Sequence, residues 1–384
     1  MEKKAREIVF YYPGKLPVNQ NSGEAIRPLR MISAFEKIGL KVHTITGDVS
    51  QRKTIIHSLK KNIVANKIKP SFVYIESTNL PLPLSSPGQK IPNFFLDINF
   101  LRWLKKRRFI IGLFYRDIYW KFNAWWKRQG LLRGSLISPL YYYELYQYLN
   151  VVDLVFCPSA QFGEIISKFE KQTRYFILPP GSDVYNEMPL PKFHNILNLL
   201  YVGCCRPPIY DLSVVLLACK KLNMRVSLTI CTRRDEWIKA KRFYKDYIGT
   251  NVRIAHESGI ALKKRYLSSH VSILPINKNE YRALVMPLKL FEAIGYYRPI
   301  IAAANSAEGR FVKENGIGWV TNENVNGLTK ILETLIHQFS LIDNAVQNIK
   351  KIKPDHTWQA RAKSILNAME YYSIMNHQEG GKLL

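Results

Sequence analysis

Short apolar runs alternate along this chain with longer stretches whose apolar residues recur every three or four positions. EIVFYY (7–12) is the first run, rich in aromatic and β-branched residues. A loop carrying Pro13, Gly14, Pro17, Asn21 and Gly23 follows it. Ile26, Leu29, Ile32, Ala34 and Phe35 then fall at helical spacing, and Gly39 closes that stretch. The run is what a buried strand requires, and the spaced pattern is what an amphipathic helix requires. KVHTIT (41–46), a basic helix to about residue 67, FVYIE (72–76), FIIGLFY (109–115) and LVFCP (154–158) continue the series. Strand followed by helix, repeated, predicts a parallel sheet covered by helices. LPLPLSSPGQKIP (80–92) breaks the rhythm, because each proline removes a backbone donor and excludes a central strand.

A second series starts after the Pro-rich stretch PPGSDVYNEMPLP (179–191). LNLLYVG (197–203) reads as a strand and YDLSVVLLACKKL (210–222) as a helix. VSLTIC, VRIAH, HVSILP, PIIAAA and GWVT then alternate with helical segments, and helices over roughly 323–338, 340–351 and 357–373 close the chain. The predicted fold class is α/β, with two Rossmann-like, doubly wound parallel-sheet domains at 1–190 and 191–355. A Pro/Gly hinge near 180–192 joins them, and a last helix within 356–384 crosses back to the first domain. A length of 384 residues suits two or three domains of about 150 residues each.

Composition narrows the classes. Apolar residues make up 47% and charged residues 22%, which excludes a disordered chain. No apolar run approaches the span of a bilayer, and the basic start MEKKAREIVFYYPG carries too short an apolar run for a secretory leader. The expected location is cytoplasmic. Five cysteines, Cys157, Cys204, Cys205, Cys219 and Cys231, show neither C-x-x-C nor paired spacing, so neither a disulfide framework nor a zinc site is expected.

Charge changes the picture more. The net charge is +27, and residues 1–190 hold 28 of the 56 Lys and Arg, so the excess is spread over both halves. A folded basic body fits a polyanionic partner: nucleic acid, an anionic lipid surface, or a phosphate-bearing substrate.

In doubly wound sheets ligands bind beyond the carboxyl ends of strands, so the turns there carry the candidate chemistry. Ser22-Gly23 follows the first strand, Gly203-Cys204-Cys205-Arg206 opens the second series, and Ser306 to Gly309 follows PIIAAA. None matches G-x-G-x-x-G or the P-loop, and each on its own also fits a plain turn. VMPLKLFEAIGYYRPIIAA (285–303) says most. Met286-Pro287 starts a helix, and Lys289 and Glu292 share one of its faces. An ammonium facing phosphate and a carboxylate facing ribose hydroxyls would hold a nucleoside diphosphate. The same spacing is also that of an ordinary surface ion pair.

This stretch resembles the donor-binding helix of the GT-B glycosyltransferases, the group that includes many bacterial capsule, exopolysaccharide and lipopolysaccharide enzymes. Pro287, Lys289, Phe291, Glu292 and Pro299 fill the pattern P-x-K-x-F-E-x-x-x-x-x-x-P. LPPGSD (178–183), YVGCCRPPIYDL (201–212), ENGIGWVT (314–321) and HTWQARAKSIL (356–366) resemble further segments of that family in the same order. In the first half only the rhythm and NSGEAIRPLRMISAFEKIGLKV (21–42) do so. The resemblance implies a GT-B fold with two Rossmann-like domains facing across a cleft, a UDP- or GDP-sugar donor held by the second domain and an acceptor held by the first. Glu292 would hold the ribose, Arg206 and Lys289 the diphosphate, with Gly203, Ser306 and Gly309 lining the donor side and Ser22 and Gly23 forming an acceptor or phosphate loop. Many retaining members carry a glutamate eight residues before the second one. Leu284 stands there, which leaves open both the stereochemistry and the group that contacts the sugar. The absence of D-x-D fits a reaction with no metal and no cofactor, in which cationic side chains and helix dipoles stabilise the leaving diphosphate.

An inverting transfer also needs a base for the acceptor hydroxyl. Asp117, immediately after a buried strand in FYRDIYW, is the first candidate, and Glu24 the second. Asp117 in that position is equally suited to capping the next helix or pairing with Arg116.

Residues 101–133 hold ten Lys or Arg, one acidic residue and four of the seven tryptophans. Trp120, Lys121, Trp125, Trp126, Lys127 and Arg128 interleave rings with cations. That composition suits an anionic membrane interface, single-stranded nucleic acid, or a basic face over an aromatic core. No nucleic-acid-binding motif appears, and the resemblance favours a lipid-linked saccharide acceptor, with peripheral attachment to the inner face of the cytoplasmic membrane. A nucleic-acid-binding protein and a sugar-nucleotide scaffold without turnover are the alternatives.

Overall fold

The computed structural model describes residues 6–16, 23–85, 93–170, 174–277 and 280–380. The chain divides into two units, Met1–Pro179 together with Trp358–Leu384, and Pro180–Thr357.

In the first unit the apolar runs become parallel strands: β1 (Glu7–Tyr11), β2 (Lys41–Ile45), β3 (Pro70–Glu76), β4 (Ile111–Phe114), β5 (Leu154–Cys157) and β6 (Arg174–Ile177). Their order is β2-β1-β3-β4-β5-β6. β1, β4 and β5 are buried at every position, because helices cover the sheet and a strand buried on both faces reads as an unbroken apolar run. The helices are α1 (Gly23–Lys37), α2 (Val49–Val64), α3 (Leu96–Lys106), α4 (Asn123–Gln129), α5 (Leu131–Leu149) and α6 (Ala160–Ser167). Rings fill the core: Tyr74 meets Phe10 at 5.7 Å, Phe35 at 5.5 Å and Phe156 at 6.0 Å. α2 starts where a capping box predicts, Asp48 accepting from the Gln51 N–H while Gln51 accepts from the Asp48 N–H.

The second unit has β7 (Leu197–Val202), β8 (Val226–Cys231), β9 (Val252–Ala255), β10 (Val271–Ile273), β11 (Ile300–Ala303) and β12 (Gly318–Thr321). All pair in parallel, in the order β12-β11-β10-β7-β8-β9. Read from the other edge, this is the Rossmann order, in which the order of strand addition, though not the strand direction, reverses between the first and fourth strands of the unit. Its helices are α7 (Ser213–Leu222), α8 (Arg234–Ala240), α9 (Gly259–Leu267), α10 (Leu288–Gly295), α11 (Ala307–Glu314), α12 (Val325–His337) and α13 (Ser340–Ile352). α14 (Trp358–Gly380) belongs to the first unit and packs on α1.

The division falls eleven residues before the expected boundary at 190. The fully buried Arg298 holds the linker in the second unit, donating to the carbonyls of Met188 (3.2 Å), Pro189 (3.0 Å) and Tyr266 (2.7 Å). Burial pushes its guanidinium down to about 10. Ser182 is fixed as well, its N–H donating to the His356 carbonyl at 2.8 Å. All five cysteines are free thiols, and Cys204 is half-buried.

Candidate functional site

The switch point of the second unit lies between β7 and β10, and the chain leaves β7 through Gly203 at φ +122°. Only glycine adopts that angle without strain. A Cβ on Gly203 would stand 3.0 Å from the Lys289 Nζ, so the bare backbone is also what lets the ammonium approach. Lys289 comes from the first turn of α10, which starts at Leu288 with Pro287 as its N-cap. Its Nζ donates to the Tyr201 hydroxyl at 3.0 Å and sits 4.7 Å from the ring centroids of both Tyr201 and Tyr210. Desolvation, with the Arg282 charge second, pushes Lys289 down to about 8, while Cys204, Glu308 and Glu292 pull the other way. An ammonium held by one hydroxyl and two ring faces keeps donors for an anion. Glu292, one turn on, is half-buried, and its charge acts on Lys289 and Tyr266.

The other residues expected on the donor side stand as follows. Arg206 is exposed, three residues beyond Gly203, and among the described residues it forms no ion pair. Ser306 is buried as the N-cap of α11: its Oγ accepts the Gly309 N–H at 3.0 Å and donates to the Ala303 carbonyl at 2.7 Å. The Gly309 N–H is thus occupied by the cap. Gly309 itself is set by packing, since a Cβ there would fall 1.9 Å from the Ala303 carbonyl oxygen. The donors at this helix start are therefore the N–H groups of Ala307 and Glu308.

Sequence reasoning missed Arg282 and Glu308. Both are buried and form an ion pair, and Arg282 also donates to Pro275 O (2.5 Å) and Asn277 Oδ1 (2.9 Å). A guanidinium fixed this way adds positive potential beside Lys289 without moving. Half of Glu308 is unsatisfied, its Oε2 having no hydrogen-bond partner. Arg282 lay outside the motif, and nothing in the sequence ties it to a residue 26 positions away.

In the first unit the switch point is between β1 and β3. Glu76 ends β3 fully buried, accepting from Arg27 Nε at 3.1 Å and Tyr74 Oη at 3.2 Å, with Arg116 Nη2 at 3.4 Å. The Arg27 guanidinium lies 3.4 Å over the Phe114 ring. Two guanidiniums on one carboxylate leave a net positive charge at the carboxyl end of this sheet. Arg27 is another residue the sequence did not single out: on a helix it reads as a solvated cation.

Asp117 follows β4, half-buried, and its Oδ1 accepts the N–H of Tyr119, the first residue of the 3₁₀ turn Tyr119–Lys121, at 2.8 Å; the N-cap of that turn is Ile118. Gly23 begins α1. Ser22 lies outside the described residues, as do the side chains of Glu24 and Arg128. Two of the expected membrane contacts need correction. Trp120 and Trp125 are 1% and 4% exposed. Trp120 stacks on Tyr141 at 5.4 Å, and Trp125 meets Tyr119 and Tyr141 edge-on. These rings are core, because burying an indole gains more than leaving it in water. Trp126 is half-buried, and Lys121 and Lys127 are exposed. Among the described residues no group of three or more His, Cys, Asp or Glu is placed to hold a metal ion.

No protein-family model matches the sequence, and no curated protein does. Solved structures do. Sucrose-phosphate synthase from Thermosynechococcus elongatus superposes at TM-score 0.65 with 13% identity, over 97% of this chain and all of that one. Anabaena HepE, solved with UDP and glucose, gives 0.61 with 11% identity over 95% of this chain and 100% of its own. WaaG, a glycosyltransferase involved in lipopolysaccharide biosynthesis, gives 0.56 with 15% identity over 94% of this chain and 99% of its own. Likeness at such identities reports architecture. Two Rossmann-like parallel sheets, each with a charged group at its switch point, and near-complete superposition on these neighbours make this chain a member of the GT-B fold.

Proposed function

We propose that the protein transfers a glycosyl group from a nucleoside-diphosphate sugar to an acceptor. The observation that carries this is the Lys289 ammonium against the Gly203 backbone at the switch point of the second unit. Doubly wound sheets bind nucleotides at that place. Transfer breaks the bond between the sugar C1 and the β-phosphate oxygen, which leaves with the electron pair, and forms a bond from C1 to an acceptor hydroxyl oxygen. Lys289 would meet the charge that develops on the leaving diphosphate, assisted by Arg206 and by the field of Arg282. One preorganised donor of this kind is worth about 3 kcal/mol in a transition state. Glu292 would accept the ribose hydroxyls. The acceptor's proton would go to Asp117 or Glu24 if the reaction inverts. No metal or cofactor enters this scheme.

HepE was solved with UDP and with glucose, which supports UDP as the first nucleotide to try. The acceptor in this reading is a lipid-linked saccharide of cell-surface polysaccharide synthesis at the inner face of the cytoplasmic membrane. The exposed cations of residues 93–150, among whose described side chains no carboxylate is exposed, support it, and so does the lipopolysaccharide role of the neighbour WaaG.

The test is calorimetry with UDP, GDP, CMP and a random oligonucleotide, followed by product analysis with the matching sugar nucleotides and lipid-linked acceptors. One nucleotide binding at micromolar levels, lost in Lys289→Met, and a new glycosidic bond in the product are expected. Binding of the oligonucleotide alone would overturn the reading in favour of a nucleic-acid partner. Nucleotide binding with the sugar nucleotide altered or hydrolysed, and no acceptor glycosylated, would overturn transfer while keeping the site.

A further inference from the structure

Helix α5 has two apolar faces. One carries Ser138, Tyr141, Glu144, Leu145 and Tyr148 into the core. At 100° per residue, Leu131, Leu132, Leu136, Tyr142 and Tyr146 fall within about 140° of one another on the opposite side. They are exposed by 80%, 85%, 72%, 46% and 66%. A helix on a protein surface normally turns polar residues to that side. Aromatic neighbours extend the face: Tyr142 lies 6.2 Å from the half-exposed Phe169, whose ring carries the Lys121 ammonium at 4.6 Å. At the other end Arg102 donates to Gln147 at 2.7 Å, which brings the basic end of α3 alongside.

Over residues 93–150 the exposed charge around this face has one sign, and the exposed Glu170 stands beside Phe169 at one end. Among the described side chains of residues 93–150 no carboxylate is exposed: Asp97 and Glu144 are buried, and Asp117 is half-buried. Lys121, Lys127, Arg133, Arg102 and the run from Lys105 to Arg108 are all exposed. Leucines framed by tyrosines and cations match the depth profile of a bilayer surface, with aliphatic groups in the acyl boundary, phenols among headgroups and cations on lipid phosphates. Nucleic acid fits less well, because bases stack on rings and leucine has none. A second copy of the chain fits less well too, since a two-fold interface on this face would bring Arg133 and Lys127 towards their own kind.

We propose that the outer face of α5, with Leu131, Leu132 and Leu136 at its centre, is the surface by which the first unit docks on an anionic lipid bilayer. Among the described residues no helix is long and apolar enough to cross one, so the contact is peripheral. The inference rests on the sugar-transfer reading only for its purpose, presenting the site to a lipid-linked acceptor; the docking itself is independent of the chemistry.

The full chain is sedimented with vesicles of phosphatidylcholine containing about one-third phosphatidylglycerol, and with pure phosphatidylcholine vesicles. The wild type is expected to sediment with the anionic vesicles. Replacing Leu131, Leu132 and Leu136 together by Gln is expected to lower partitioning at least about tenfold with an unchanged thermal midpoint, because these side chains are solvated in the free protein. Leu132→Trp is expected to raise partitioning, a gain that a misfolded variant would not give. Lys127→Gln with Arg133→Gln is expected to narrow the difference between the two vesicle types. Undiminished sedimentation of the triple variant overturns the proposal. So does a wild type that ignores vesicles, or a triple variant that only converts a dimer to a monomer. Nucleotide affinity of the triple variant is measured in parallel. If it is retained while sedimentation is lost, docking and donor binding are separate; if nucleotide binding fails in the wild type as well, only the transfer reading falls.

Discussion

The Lys289 Nζ lies 3.0 Å from the point where a Cβ on Gly203 would stand, and Gly203 holds φ at +122°. The glycine therefore serves two ends, turning the chain out of β7 and leaving room for a cation. Gly203→Ala is expected to strain the turn and push the ammonium aside, lowering nucleotide affinity by about tenfold or more. Combined with Lys289→Met the two losses should fail to add, since both remove the same contact. Calorimetry on the four members of that cycle decides it, and full additivity would separate the glycine from the lysine.

If Lys289 meets the diphosphate, nucleotide binding is sensitive to alkali. Below about pH 8 the ammonium is already charged in the free protein. Above that it is neutral, and a bound diphosphate must draw a proton back from solvent before the contact forms. Affinity is expected to fall as pH rises past 8, by up to about tenfold per unit, and binding there should take up a proton. Calorimetry in buffers of different ionisation enthalpy counts that proton. Lys289→Met should show weak, flat affinity across the same range.

Glu292 shares the α10 face of Lys289. If its carboxylate accepts ribose hydroxyls, Glu292→Gln weakens UDP by more than about tenfold, the worth of one or two hydrogen bonds to a charged group. The control is a deoxyribose nucleotide. Wild type should discriminate against it and the variant should not; equal discrimination by both removes Glu292 from the ribose.

Strand and helix were legible because both sheets are covered on both faces, and full burial writes itself as runs such as EIVFY and IIAA. Lys289 was legible from its spacing to Glu292 and Pro287, and Gly203 from its place at a strand end. What stayed hidden depends on contacts distant in sequence. The unit boundary moved because the Arg298 guanidinium captures carbonyls 109 and 110 residues away. Trp120 and Trp125 looked like an exposed basic-aromatic face, since composition does not say which ring finds Tyr141. The α5 leucines escaped for the opposite reason: apolar on both sides, that helix shows no stripe to read. Arg27 and Arg282 gave no signal at all, because a buried arginine and a solvated one have the same letter.

Asp117 is tested by its isostere, asparagine. Its Oδ1 accepts the Tyr119 N–H, and the carbonyl oxygen of an asparagine accepts the same bond. Asp117→Asn is thus expected to keep the thermal midpoint and the nucleotide affinity. If Asp117 takes the acceptor's proton, turnover falls by about 10² to 10⁴. Turnover at the wild-type level assigns Asp117 to the 3₁₀ turn alone and leaves Glu24 as the base to replace next.

Glu144 makes the stability of the first unit depend on pH in a direction opposite to that of a salt-bridged acid. It is buried on α5, and its Oε2 accepts the Leu82 N–H at 2.5 Å. Burial pushes its carboxyl up to about 8, against the opposing pull of the Leu82 hydrogen bond, from an ordinary value of 4.5. Between those two values the folded chain keeps a proton that the unfolded chain releases. The contribution is fully present below about pH 4.5 and drains away as pH rises towards 8. Glu144→Gln keeps a carbonyl acceptor for Leu82 and has no proton to lose. Relative to wild type it is expected to gain up to about 1.4 kcal/mol of stability for each pH unit across that window. Urea unfolding of both proteins from pH 5 to about pH 8 measures the divergence. Parallel profiles would mean that the carboxylate is ionised in the fold and that water or a nearby cation stabilises it there.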